Sequence, residues 1–130
     1  MFYTQKDYIL RQIELLAEGF ARLIRKDDTS AHMIDEVIHE SGIVSPAGYL
    51  KFALLSLINE GRICEAEDLL FEKMPSAPDA DFVDTALDFY AQLSTRSDEF
   101  LQSHDFSRDE IVDGLDEIRR AYNIPVEEDE

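Results

Sequence analysis

The sequence predicts an all-α protein, a single-domain bundle of six to seven antiparallel helices. Three observations support this: apolar residues recur at three- and four-residue steps, helix-capping residues separate these segments, and no segment alternates like a β-strand. The chain has 130 residues, of which 45% are hydrophobic, and this suits one core. We therefore expect one domain over residues 1–125, followed by an acidic tail over residues 126–130.

The first predicted helix covers residues 5–26. Its apolar residues follow a 4-3-4-3 spacing and therefore share one face; they are Ile9, Ile13, Leu16, Phe20 and Leu23. This stripe must be covered, either inside the domain or across a homodimer formed through the first helix. A shorter helix is predicted over residues 30–40, and Gly42 ends it.

The next segment predicts a tight antiparallel helix pair over residues 46–74. Ser45 and Pro46 form a helix start, because a hydroxyl can cap the first turn and proline there loses no needed donor. Gly61 ends the first helix of the pair, and Pro75 stops the second. The predicted inner faces are Tyr49, Leu50, Ala53, Leu54, Leu57 and Ile58 in one helix, and Ile63, Ala66, Leu70 and Met74 in the other.

The C-terminal part predicts three further helices. Asp79 or Asp81 caps the first, which reaches about residue 95, and Ser97 caps a short second one. Ser107 and Glu110 form a capping box that opens the last helix. The predicted core faces are Phe82, Val83, Ala86, Leu87, Phe89, Tyr90 and Leu93, and then Ile111, Val112, Leu115, Ile118 and Tyr122.

Residues 47–80 resemble one tetratricopeptide-type helix pair. The match is carried by the spacing of Leu50, Leu54, Leu57, Gly61, Ala66, Leu70 and Pro78. The resemblance implies tetratricopeptide-like helical hairpins that hold a protein or peptide in a groove; a generic hairpin is the alternative. Taken end to end, the chain also resembles a small uncharacterised family of acidic helical proteins from Gram-positive bacteria, which implies no activity.

The formal net charge of −17 excludes some partners. Such a field repels phosphate backbones and anionic lipids, so we expect neither nucleic acid nor membrane as a partner. Residues 79–130 are the more acidic part, with 16 acidic and 4 basic side chains. No segment has the length of a membrane span and the N-terminus lacks a signal-peptide layout, which predicts a cytoplasmic protein.

The sequence predicts no enzyme, no cofactor and no metal site. Four residues have spacing that suggests a metal, but they fall on the polar side of their predicted helix: His32, Asp35, Glu36 and His39. His104 is expected to be a solvated loop residue. Cys64 is the only cysteine, so no intramolecular disulfide can form, and we expect it to be half-buried.

Two functions fit these features. The first is a non-catalytic helical adaptor or scaffold for a protein or peptide, basic in character, with Tyr49, Lys51, Asn59 and Arg62 near the groove. The alternative is an acidic decoy or inhibitor that occupies a basic site on its partner. Its carboxylates are those of the last helix: Asp109, Asp113 and Asp116.

Overall fold

The computed structural model describes residues 4–25 and 46–126. These residues form six helices and no strand: α1 Gln5–Arg25, α2 Pro46–Asn59, α3 Ile63–Glu72, α4 Ala80–Ser94, α5 Asp98–Ser103 and α6 Arg108–Ala121. The all-α prediction is confirmed. The helix predicted over residues 30–40, its stop at Gly42, the capping Ser45 and residues 127–130 lie outside the described residues. Within the described ranges, no helix is both long enough and apolar enough to cross a bilayer.

Helix α4 lies at the centre of the packing. It contacts α1, α2 and α6, and nine of its fifteen residues are buried. Every residue predicted for its core face is buried, because the helix is covered on several sides at once. The core therefore forms around α4, with the other helices laid against it.

The predicted stripe of α1 packs within the same chain. Ile9, Leu16 and Phe20 are buried, Ile13 and Leu23 are half-buried, and α1 packs against α4 and α6. The homodimer through this stripe stays a prediction, but these contacts weigh against it.

The α2–α3 connection is a three-residue turn with Gly61 at φ +78°. The amide of Arg62 donates to the carbonyl of Leu57 at 2.8 Å, and that of Gly61 to Ile58 at 2.9 Å, as in a Schellman ending. A Cβ at position 61 would lie 2.3 Å from Nε2 of His104. Glycine is thus required here both by its backbone conformation and by the imidazole that covers it.

The caps predicted for the last three helices are present in the structure. Asp79, rather than Asp81, caps α4 by accepting from the amide of Phe82 at 2.9 Å. Ser97 caps α5, and Ser107 with Glu110 forms the capping box that opens α6.

Residues 124–126 continue from α6 across α1. Ile124 is buried, and the carbonyl oxygen of Pro125 lies 1.9 Å from where a Cβ on Gly19 would be. Val126, which the sequence assigned to the tail, packs against the core. The absence of a side chain at Gly19 allows this close crossing.

Candidate functional site

An apolar groove lies between the start of α2, the end of α3 and the start of α4. Its cavity volume is about 570 Å³, within the range of binding clefts. The lining residues are Tyr49, Leu50, Ala53, Leu69, Lys73, Pro75, Asp79, Asp81 and Phe82. Tyr49 is 71% exposed at the edge of the groove, so its expected place on the inner face of α2 is wrong.

The α3–α4 loop forms one wall of the groove. A side chain at the end of α6 holds this loop in place. The hydroxyl of Tyr122 donates to the carbonyl of Pro75 at 2.6 Å, and its ring meets that of Phe82 edge-on, with centroids 6.5 Å apart. Burial raises the pKa of the Tyr122 phenol, with a smaller contribution from the carboxylate of Asp79, so the phenol stays a neutral donor. These contacts within the chain hold the groove wall in place.

A second apolar surface lies on the outer side of α2. Phe52 and Leu55, which we call the α2 stripe, are 71% and 40% exposed, and their three-residue spacing places them on one face. Helix α2 contains no Asp or Glu, and its single charged residue, Lys51, pairs with Asp84 at 3.3 Å. The α2 stripe is therefore apolar and lies on a helix without carboxylates.

The sequence placed four residues near one groove, and the structure does not bring them together. Tyr49 lines the groove, whereas Lys51 pairs with α4. Asn59 lies at the far end of α2, where its side-chain oxygen accepts from Arg96 at 2.8 Å. Arg62 donates hydrogen bonds to the carboxylates of Glu65 and Glu60. These bonds raise the pKa of the Arg62 guanidinium, and the bond to Glu65 contributes most. A role for these residues in partner binding stays a prediction.

The predicted acidic stripe lies on α6, and its carboxylates have different surroundings. Asp109 accepts a hydrogen bond from the side chain of Gln5. Asp116 is half-buried and forms ion pairs with Arg119 and Arg120. Asp113 is exposed. Two of the three carboxylates are thus engaged within the chain.

Sequence reasoning missed a carboxyl–phenol pair that joins α3, α4 and α6. The hydroxyl of Tyr90 donates to Oε2 of Glu67 at 2.7 Å, and a Cβ on Gly114 would lie 2.0 Å from that hydroxyl. Burial raises the pKa of Glu67. The hydrogen bond from Tyr90 opposes this increase, and the charge of Glu110 adds to it. A glycine inside α6 was the available signal. Because neither Glu67 nor Tyr90 lines the groove, we assign this pair to the packing.

Cys64 and His104 lie near the α2–α3 turn, and both expectations about them are wrong. Cys64 is exposed, and its Sγ lies 3.8 Å from the carbonyl oxygen of Asp105. Partial desolvation and then nearby carboxylates raise the pKa of its thiol, which disfavours the reactive thiolate. His104 is half-buried, with Nδ1 2.8 Å from the carbonyl oxygen of Phe100.

In the part of the chain that the structure describes, no group of three or more His, Cys, Asp or Glu side chains is placed to hold a metal ion. The spacing that suggested a metal, formed by His32, Asp35, Glu36 and His39, lies outside that part. The prediction that no metal binds there stays a prediction.

Within residues 4–25 and 46–126, the structure is all-α and has an apolar groove and an exposed apolar stripe. The chain belongs to a family of unknown function, DUF6483, whose model matches residues 3–123. The sequence-based expectation of an uncharacterised family is confirmed to that extent. No curated protein and no solved structure matches the chain. The case for a function therefore rests on the groove and the surface around it.

Proposed function

We propose that the protein is a non-catalytic helical adaptor that binds a segment of another protein in the groove. The observation that carries this proposal is the groove itself: an apolar cavity of about 570 Å³ with the exposed ring of Tyr49 at its edge. Exposed aromatic side chains beside a preformed apolar cleft are typical of surfaces that anchor a partner. A cavity of this size accommodates a few apolar side chains of an incoming segment.

The helical hairpin supports the same function. Helices α2 and α3 pack against each other, and both contribute to the groove. Their residues resemble one tetratricopeptide pair, and we propose a tetratricopeptide-like arrangement here. Modules of that type hold partner segments between helices, as a scaffold does.

The charge of the protein favours a basic partner segment. Asp79 and Asp81 line one part of the groove and Lys73 another, within a chain of net charge −17. We expect apolar anchors flanked by Lys or Arg, drawn in by electrostatic steering that raises the association rate more than the affinity. We place this function in the bacterial cytoplasm.

The alternative, an acidic decoy for a basic site, depends on the carboxylates of α6. Asp109 and Asp116 are engaged within the chain, so they are less available as a row of phosphate mimics. For this reason we favour the adaptor, which binds its partner in the groove, over the decoy.

A photo-crosslinking experiment tests the adaptor proposal. The variant Tyr49→p-benzoylphenylalanine is expressed in the native host, irradiated, and the captured peptide identified by mass spectrometry. That peptide is then synthesised and titrated calorimetrically against purified protein. We expect Ala53→Phe, which fills the groove, to weaken binding about tenfold or more.

The matched control is Ala91→Phe on α4, also at a half-buried alanine but outside the groove lining. Circular dichroism shows whether both variants fold. Equal binding of the peptide by the wild type and by Ala53→Phe would contradict the proposal that the peptide binds in the groove. If binding instead depends on Asp109, Asp113 and Asp116, so that changing all three to Lys abolishes it, the decoy is supported. Turnover of a metabolite by the purified protein would refute the non-catalytic role.

A further inference from the structure

We propose that a second copy of this chain packs on the α2 stripe, so that the protein forms a symmetric homodimer through α2. The stripe is formed by Phe52 and Leu55, which are 71% and 40% exposed. Large apolar side chains exposed next to each other on one helix face can form part of an interaction surface. Neither residue lines the groove, but Tyr49 at the groove edge lies three positions before Phe52 on the same helix.

Charge selects this face for contact between two copies. Each chain carries a net charge of −17, so two copies repel each other wherever carboxylates would meet. Among the helices that the structure describes, α2 is the one without Asp or Glu, so it adds no carboxylate to this repulsion. The carboxylates beside this face belong to α4, where Asp84 pairs with Lys51 and Asp88 lines a small hollow together with Leu55. Helix α2 itself offers a basic partner no carboxylate, whereas a second acidic copy can approach through it.

The stripe is also self-complementary. In an antiparallel pair of α2 helices related by a twofold axis, Phe52 of one protomer meets Leu55 of the other, and the same contact occurs twice. The competing apolar face, on α1, is packed against α4 and α6 within the chain.

The test is sedimentation velocity of the purified full chain over a wide concentration range, at low and high salt. We expect a monomer–dimer equilibrium that strengthens with salt, because salt screens the repulsion between the two acidic copies. Association driven by opposite charges would weaken instead.

Two matched variants locate the interface. Leu55→Glu places a carboxylate in the contact, and we expect it to weaken dimerisation about tenfold or more. Leu10→Glu, on α1, is the control, because Leu10 is 39% exposed against 40% for Leu55. The control should dimerise like the wild type.

Two results would overturn the proposal. The first is a monomer at every concentration and salt, and the second is equal weakening of the dimer by both variants. If the wild type is monomeric, an unfolding temperature that falls in Leu55→Glu but not in Leu10→Glu would mean that the stripe is covered by the protein's own chain.

Discussion

Helices α2 and α4 are both rich in apolar residues, but they use them differently. Helix α4 buries nine of its fifteen residues, whereas the buried side chains described on α2 are Leu54 and Ile58. The difference arises from position: α4 is packed by α1, α2 and α6, while α2 packs mainly on α3 and α4. The apolar content of a helix therefore does not decide how many of its side chains are buried, and part of the apolar surface of α2 stays exposed.

The largest expected effect comes from the same substitution made in both helices. Leu93→Ala removes a fully buried side chain of α4 and should lower the free energy of unfolding by about 2–5 kcal/mol. Leu55→Ala on α2 should change it by no more than about 0.5 kcal/mol. Urea unfolding at low protein concentration measures both. Similar losses of unfolding free energy in the two variants would contradict the difference in burial between α4 and α2.

A smaller effect is expected at the turn that joins α2 to α3. Gly61→Val should destabilise the protein by about 1–3 kcal/mol, because a β-branched residue resists φ +78° and its Cβ displaces His104. Asp105→Gly is the control, since Asp105 ends α5 at φ 58° with its own side chain exposed. Glycine relieves that strain, so the control should keep or slightly raise stability in thermal unfolding. A harmless Gly61→Val would show that the hairpin tolerates a different turn.

The smallest effect concerns the junction between the hairpin and α4. The pKa of Glu67 is raised in the folded state by burial, so its contribution to stability is largest below the ordinary glutamate range and is lost as the pH rises through the raised value. Glu67→Gln keeps an acceptor for Tyr90 and should flatten this dependence. Unfolding free energies measured across acid to neutral pH test it.

Glu65 on the same helix is the matched control. The hydrogen bond from Arg62 lowers the pKa of Glu65, so its contribution is present above the ordinary glutamate range and is lost as the pH falls. Glu65→Gln should therefore change the pH dependence in the opposite sense. A wild type and Glu67→Gln with the same pH profile would show that the Tyr90 contact does not depend on the charge of Glu67.

The sequence predicted the helix boundaries best where local chemistry sets them. The cap at Ser97, the capping box at Ser107 and the break at Gly61 each depend on residues within one turn of the chain. The burial of α4 was also predictable, because its apolar face is broad. The whole set of helices within the described residues follows from these signals.

The surfaces were harder to predict because they depend on contacts between distant residues. Tyr49 has the spacing of a core residue, yet its exposure is decided by where α3 and α4 leave a groove. Asn59 is placed by Arg96, a residue 37 positions away. Glu67 and Tyr90 are 23 positions apart, and their contact also needs a glycine, Gly114, on a third helix. Such distances have no periodic signature in a single sequence.

The hydrogen bond from Tyr122 to the carbonyl of Pro75 also sets an order of events during synthesis. The two residues are 47 positions apart, whereas the hairpin closes through a turn of three residues. Chains are made from the N-terminus, so α2 and α3 are available to fold well before α6 leaves the ribosome. The groove wall reaches its final form only when Tyr122 has docked. A nascent chain can therefore close the hairpin before the wall of the groove is complete.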